Sequence, residues 1–149
     1  MRSASPYRAS IPATILLVDD NNDGILARRS VLEELGYRVV PAKCGSEALR
    51  LAEKEVFDLV ITDYRMSPID GLELITRLRE KNYTKPIILL TGFAENLGLR
   101  PDVTGADVVI QKSANEIVTL VRHTRRLLAS PRKPVGSQPT KASPRSRSK

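Results

Sequence analysis

The chain of 149 residues is long enough for one domain with its own hydrophobic core and too short for two. Its longest uninterrupted aliphatic runs are four residues, which excludes a bilayer span or a signal-peptide core, and its single cysteine, Cys44, excludes an internal disulfide framework, so a reducing cytoplasmic setting is expected. The net charge of +7 belongs to the ends, because all 17 acidic residues and 16 of the 24 basic ones lie in 14–129, leaving that stretch near −1.

Residues 1–13 are polar, carry Pro6 and Pro12, and read as a disordered leader. The apolar run 14–18, TILLV, is a strand that ends at Asp19-Asp20. Asn22 is an N-cap candidate for a helix carrying Ile25, Val31, Leu32 and Leu35 and stopped by Gly36. Residues 37–40 form a weak edge strand that ends before Pro41. A second helix over 46–53 turns Ala48, Leu51 and Ala52 inward, and the strand 57–62 then runs into Asp63. The third helix, 71–81, places Leu74, Ile75 and Leu78 on one face, and the strand 85–90 runs into Thr91.

The segment 94–104 stands where a fourth helix belongs, but Gly98 and Pro101 lie inside it. Against alanine they cost a helix interior about 1 and about 3 kcal/mol, so a short or irregular helix is expected. Residues 106–111 are a last strand running into Lys112, and a helix over 115–128 carries Ile117, Leu120, Val121, Thr124 and Leu128 at 3–4 spacing. From Ser130 to the end, four prolines, five serines and one aliphatic residue, Val135, cannot offset chain entropy by burial; 130–149 reads as a disordered basic tail.

Strands alternating with helices through short connections predict an α/β fold, a parallel sheet covered on both faces, over 14–129. In such sheets the reactive crevice lies beyond the carboxyl ends of the strands. Asp19, Asp20, Asp63, Thr91 and Lys112 all sit at those ends. Two carboxylates 4 Å apart repel by about 4 kcal/mol at an effective dielectric near 20, so a converging trio raises one pKa or takes up a cation. An all-oxygen set without His or Cys suits Mg²⁺ or Mn²⁺ rather than zinc. One carboxylate is then left to attack phosphorus, while an ammonium and a hydroxyl spread the charge of the phosphoryl oxygens.

The pieces ILLVDD (15–20), DYRMSPIDG (63–71), LTG (90–92) and IQK (110–112), in this order and at these intervals, resemble a response-regulator receiver domain of the CheY-like type over about 115 residues. The resemblance implies a flavodoxin-like, doubly wound, five-stranded parallel sheet in the order 2-1-3-4-5. It implies that Asp63 is the phosphoacceptor, taking its phosphoryl group from the phosphohistidine of a sensor histidine kinase or a phosphotransfer protein. It further implies that Asp20, Asp63 and the backbone carbonyl of Arg65 ligate Mg²⁺ directly and that Asp19 acts mainly through metal-bound water. Thr91 and Lys112 match the residues that contact the phosphoryl group. Output through contact with a downstream protein, without an appended output domain, is the expectation for a stand-alone receiver that assists its own phosphorylation and turns over no metabolite.

The chain departs from the family pattern around this set. Ser67 stands where a proline is usual, with Pro68 one later. Val109 replaces the usual aromatic, so a Tyr or Phe rotamer cannot carry the signal there, and Ser113 replaces the proline after the lysine. A cis peptide costs about 3–4 kcal/mol before a residue other than proline, against about 0.5–1 before proline, so a trans Lys112–Ser113 bond is expected.

Other features have simpler readings. Asp70-Gly71 reads as a turn and helix start, Cys44 as a small residue at a strand end, and His123 as an exposed polar residue without ligand partners. The side chain of Arg65 either overhangs the site or is solvated. Arg122, His123, Arg125 and Arg126 form a basic helix face. The tail repeats SPRK (130–133) and SPRS (143–146) resemble minor-groove-binding tails, yet they suit a solubilising extension or an acidic partner equally well. Rival readings are a haloacid-dehalogenase-type phosphatase, a flavodoxin-like FMN binder and a phosphorylation-independent adaptor. A phosphatase nucleophile belongs on the first strand in a D-x-D arrangement, and the acidic first loop, DDNND (19–23), repels the phosphate of FMN.

Overall fold

The computed structural model describes residues 12–92 and 98–129. Its strands are β1 (Thr14–Val18), β2 (Arg38–Ala42), β3 (Leu59–Asp63), β4 (Ile87–Thr91) and β5 (Val108–Gln111). The helices between and after them are α1 (Asn22–Glu34), α2 (Gly45–Lys54), α3 (Gly71–Glu80), α4 (Pro101–Thr104) and α5 (Glu116–Ala129). The five strands pair in parallel in the order β2-β1-β3-β4-β5, as the resemblance implies. Among the described residues no helix is long and apolar enough to cross a membrane.

Both faces of the sheet are covered, which explains why the strands read as continuous apolar runs. Leu16, Val18, Val60, Ile87 and Leu89 face one way and pack with Ala48 of α2 and Leu74, Ile75 and Leu78 of α3. Their sequence neighbours Leu17, Leu59, Ile61, Ile88 and Leu90 face the other way, against Ile25 and Leu32 of α1 and Leu120 of α5. Full burial of each such side chain contributes about 1.5–3 kcal/mol, so the central strands are the most firmly held part of the molecule.

Three local expectations are corrected. The N-cap of α1 is Asn21, not Asn22: its Oδ1 accepts from the N–H groups of Asp23 (2.8 Å) and Gly24 (3.2 Å). The second strand does not stop before Pro41 but continues to Ala42, with Pro41 opposite Leu17. Arg38 N–H donates to Ala13 O, so the period of two turns the nitrogen of Pro41 toward the open edge, where no donor is needed. Pro101 does not interrupt a helix; it opens one, the single turn α4, which ends at Gly105 in the left-handed region (φ 83°). Part of the 94–104 expectation, the basic tail and most of the leader lie outside the described residues.

Candidate functional site

Asp19 follows β1 directly, and its N–H donates to Ala42 O (3.0 Å), continuing the β1–β2 ladder by one residue. Asp63 is the last residue of β3 and Thr91 the last of β4; Lys112 follows β5. Parallel register therefore delivers all of them to one edge of the sheet. Asp19 and Asp63 are buried and Asp20 is exposed, yet one carboxylate oxygen from each lies within 4.8 Å of the others. Lys112 reaches Asp63 in two steps: its N–H donates to Thr91 O (2.8 Å), and its Nζ pairs with Asp63 Oδ1.

Burial is the main reason that the Asp63 carboxyl is held above its ordinary pKa. Lys112 pulls it down, Asp19 pushes it up, and Arg28 adds to the pull of Lys112 to a lesser degree. Like charges within 4.8 Å repel by about 3 kcal/mol at an effective dielectric near 20. Three carboxylates with two adjacent cations, Arg28 and Lys112, leave negative charge in excess. A small divalent cation with a preference for oxygen fits this donor set.

Beside Asp20 lies an open hollow of about 490 Å³ lined by Tyr64, Arg65, Met66, Ser67 and Asp70. Its far wall is fixed by Asp70, whose Oδ1 accepts the Glu73 N–H (2.9 Å) and caps α3. Gly71 allows the helix to approach: a Cβ there would lie 2.4 Å from the carbonyl oxygen of Asp63. The turn-and-helix-start reading of Asp70-Gly71 matches this geometry. Ser67–Pro68 is the one cis peptide among the described residues, and Lys112–Ser113 is trans, as expected.

Arg28 and Glu116 were not among the residues expected at the site. Arg28 is buried on α1, where its Nη1 bonds Asp19 Oδ2 (2.6 Å) and its Nε bonds Glu116 Oε2 (2.5 Å). Burial works to lower its pKa, but the bonds to Glu116 and Asp19 outweigh it and the guanidinium is held more firmly charged. A signal for it stood in the sequence: Ile25, Arg28 and Leu32 follow helical spacing, so an arginine occupies an inward stripe and needs carboxylates around it.

Comparisons with known proteins agree with this fold. The response regulator receiver domain model matches residues 15–122. Transcriptional regulatory protein GlrR of Escherichia coli (strain K12) is 40% identical over 96 residues, which are 64% of this chain and 20% of GlrR; the chain thus spans about a fifth of that relative. The structure of chemotaxis protein CheY4 of Vibrio cholerae superimposes with a TM-score of 0.71 at 30% identity, covering 78% of this chain and 98% of CheY4. Response regulator TrrA of Thermotoga maritima, solved in complex with Mg²⁺ and BeF, gives a TM-score of 0.70 at 33% identity, covering 77% of this chain and 98% of TrrA. A matching family model over most of the folded residues, a five-strand order shared with these neighbours and an acidic crevice at the strand ends lead to one conclusion: the chain belongs to the response regulator receiver domain family.

Proposed function

We propose that Asp63 is the phosphoacceptor and that Asp19, Asp20, Asp63 and the backbone carbonyl of Arg65 hold Mg²⁺ beside it. The observation that carries this reading is the convergence of three carboxylates, with Lys112 paired to Asp63. The donor is a phosphohistidine of a sensor kinase or phosphotransfer protein. An Asp63 carboxylate oxygen attacks phosphorus, an O–P bond forms as the N–P bond breaks, and the departing imidazole keeps the electron pair and takes up a proton. Lys112 releases part of its hold on Asp63 to bond a phosphoryl oxygen, and the Thr91 hydroxyl donates to another. Mg²⁺, when bound, supplies positive charge to the phosphoryl oxygens and offsets the repulsion among the carboxylates. Asp19, fixed on both oxygens by Asn21 N–H (2.9 Å) and Arg28 (2.6 Å), keeps its charge aimed at the crevice.

The modified chain then acts by protein–protein contact rather than by turnover of a metabolite. Val109 is half-buried against the α2–α3 side of the sheet and has no ring to switch, so the signal passes through other residues. Incubation with a small phosphodonor and Mg²⁺, followed by intact mass, tests the reading. One acid-labile phosphoryl group that Asp63→Asn removes is expected. No modification, or release of phosphate from unrelated monoesters, would overturn it in favour of an adaptor or a phosphatase.

A further inference from the structure

Arg28 bridges two carboxylates that belong to opposite ends of the chain. Asp19 follows the carboxyl end of β1 and Glu116 opens α5, 88 residues beyond Arg28. The side chains of Arg28, Asp19 and Glu116 are 8%, 3% and 12% exposed, so water contributes little to keeping their charges apart. The guanidinium uses separate edges of its planar fork, Nη1 toward Asp19 and Nε toward Glu116, and so fixes one carboxylate relative to the other. Gly24, one turn earlier on α1, leaves the notch in which this contact sits: a Cβ there would lie 2.4 Å from Asp19 Oδ2 and 2.8 Å from Arg28 Nη1.

Given the Mg²⁺ site proposed above, on which this inference rests, the geometry points to Arg28 as a positioning residue that couples that site to the first turn of α5. One cation is shared by a buried carboxylate, Asp19, and a partly buried one, Glu116. A divalent cation at the acid cluster draws on the charge of Asp19, and the guanidinium then leans further on Glu116. The coupling is reciprocal: whatever strengthens the Arg28–Glu116 contact frees Asp19 for metal, and whatever removes it leaves Arg28 wholly on Asp19. A salt bridge that only held α1 to α5 would not link metal affinity to Glu116, which is not one of the proposed metal ligands.

Calorimetric titration of the full chain with MgCl₂ tests this link. Arg28→Met is expected to tighten Mg²⁺ binding, and Glu116→Gln to weaken it, each by at least about fivefold, the lower end of ordinary coupling factors. Because the triad is largely shielded from solvent, both effects persist at about 0.5 M NaCl, where a through-solvent field is screened. In parallel, hydrogen exchange at the first turn of α5 responds to Mg²⁺ in the unaltered chain and not in Glu116→Gln. Arg28→Lys keeps the charge but not the fork, and loses the exchange response with it; this variant and Glu116→Gln carry the test if Arg28→Met does not fold. Variants that leave affinity unchanged, or shift it in the same direction, overturn the coupling while the metal site stands. Absence of Mg²⁺ binding by the unaltered chain overturns the metal site and the coupling together.

Discussion

Lys112 pairs with Asp63 across an intervening strand: β4 lies between the strands that carry them, and the Lys112 N–H donates to the carbonyl of Thr91 at the end of β4. The ion pair thus crosses the top of three strands, and the ladder sets its geometry. Its effect on Asp63 is only partial, because burial and Asp19 still hold the carboxyl above its ordinary range. A carboxylate whose charge is disfavoured by burial and whose counterion is about a third exposed suits the role proposed for Asp63, in which that counterion is exchanged for a phosphoryl group.

Metal-free Asp63→Asn is therefore expected to melt above the unaltered chain at pH 7, measured in chelator. Burial, with Asp19 adding to it and Lys112 opposing, makes Asp63 bind its proton more tightly folded than unfolded. Such a group disfavours the fold above its folded pKa, and the penalty fades as pH falls toward and below the ordinary 3.8. The gain from the substitution should shrink over the same range. A gain independent of pH, or a loss at pH 7, contradicts the assignment.

Lys112→Met removes the ammonium while keeping most of the stem. Loss of one preorganised charge aimed at developing anionic oxygens slows a reaction by about a hundredfold or more, and phosphoryl acceptance from a small phosphodonor should slow by that order. Intact mass against time measures it. An unchanged rate would place Lys112 outside the reacting set and leave it as a brace for Asp63 alone.

The strand-end residues were legible because each closes an apolar run, and a parallel sheet sends every run's carboxyl end to the same edge. Asp19, Asp20, Asp63, Thr91 and Lys112 needed no tertiary information beyond that rule. Where tertiary contacts decide, local pattern fell short. Either of two adjacent asparagines could cap α1, and the side chain of Asn21 takes the role. Pro41 reads as a stop, but β2 pairs on one side only. The triad was least legible: Arg28 and Glu116 meet over 88 residues, and nothing local to Glu116 signals that a buried guanidinium seeks it.

Gly24→Ala puts intrinsic propensity against this triad. Alanine favours a helix interior over glycine by about 1 kcal/mol, so an exposed site would gain stability. At this position the added Cβ meets Asp19 Oδ2 at 2.4 Å and Arg28 Nη1 at 2.8 Å, and those atoms, buried and bonded to each other, have little room to retreat. Overpacking of this kind costs about 1–3 kcal/mol. Denaturant melts should show a net loss of stability, and MgCl₂ titration weaker binding as Asp19 is displaced. A stabilised variant with normal Mg²⁺ affinity contradicts the notch.

Thr124 offers a test of the α5 packing away from the site. Its side chain is fully buried, and its Oγ1 is the one buried side-chain polar atom among the described residues without a hydrogen-bond partner. A buried hydroxyl left unbonded costs about 1–3 kcal/mol, whereas valine has nearly the same shape and a similar helix propensity. Thr124→Val should stabilise the fold by about 1 kcal/mol, raising Tm by roughly 4 °C for a domain of this size. Thr124→Ala removes the methyl as well and should recover less, because the space it leaves forfeits packing. The two variants separate the hydroxyl from the methyl: if valine destabilises as much as alanine does, the hydroxyl has a partner, and the turn of α5 around Thr124 is held by that bond rather than by packing alone.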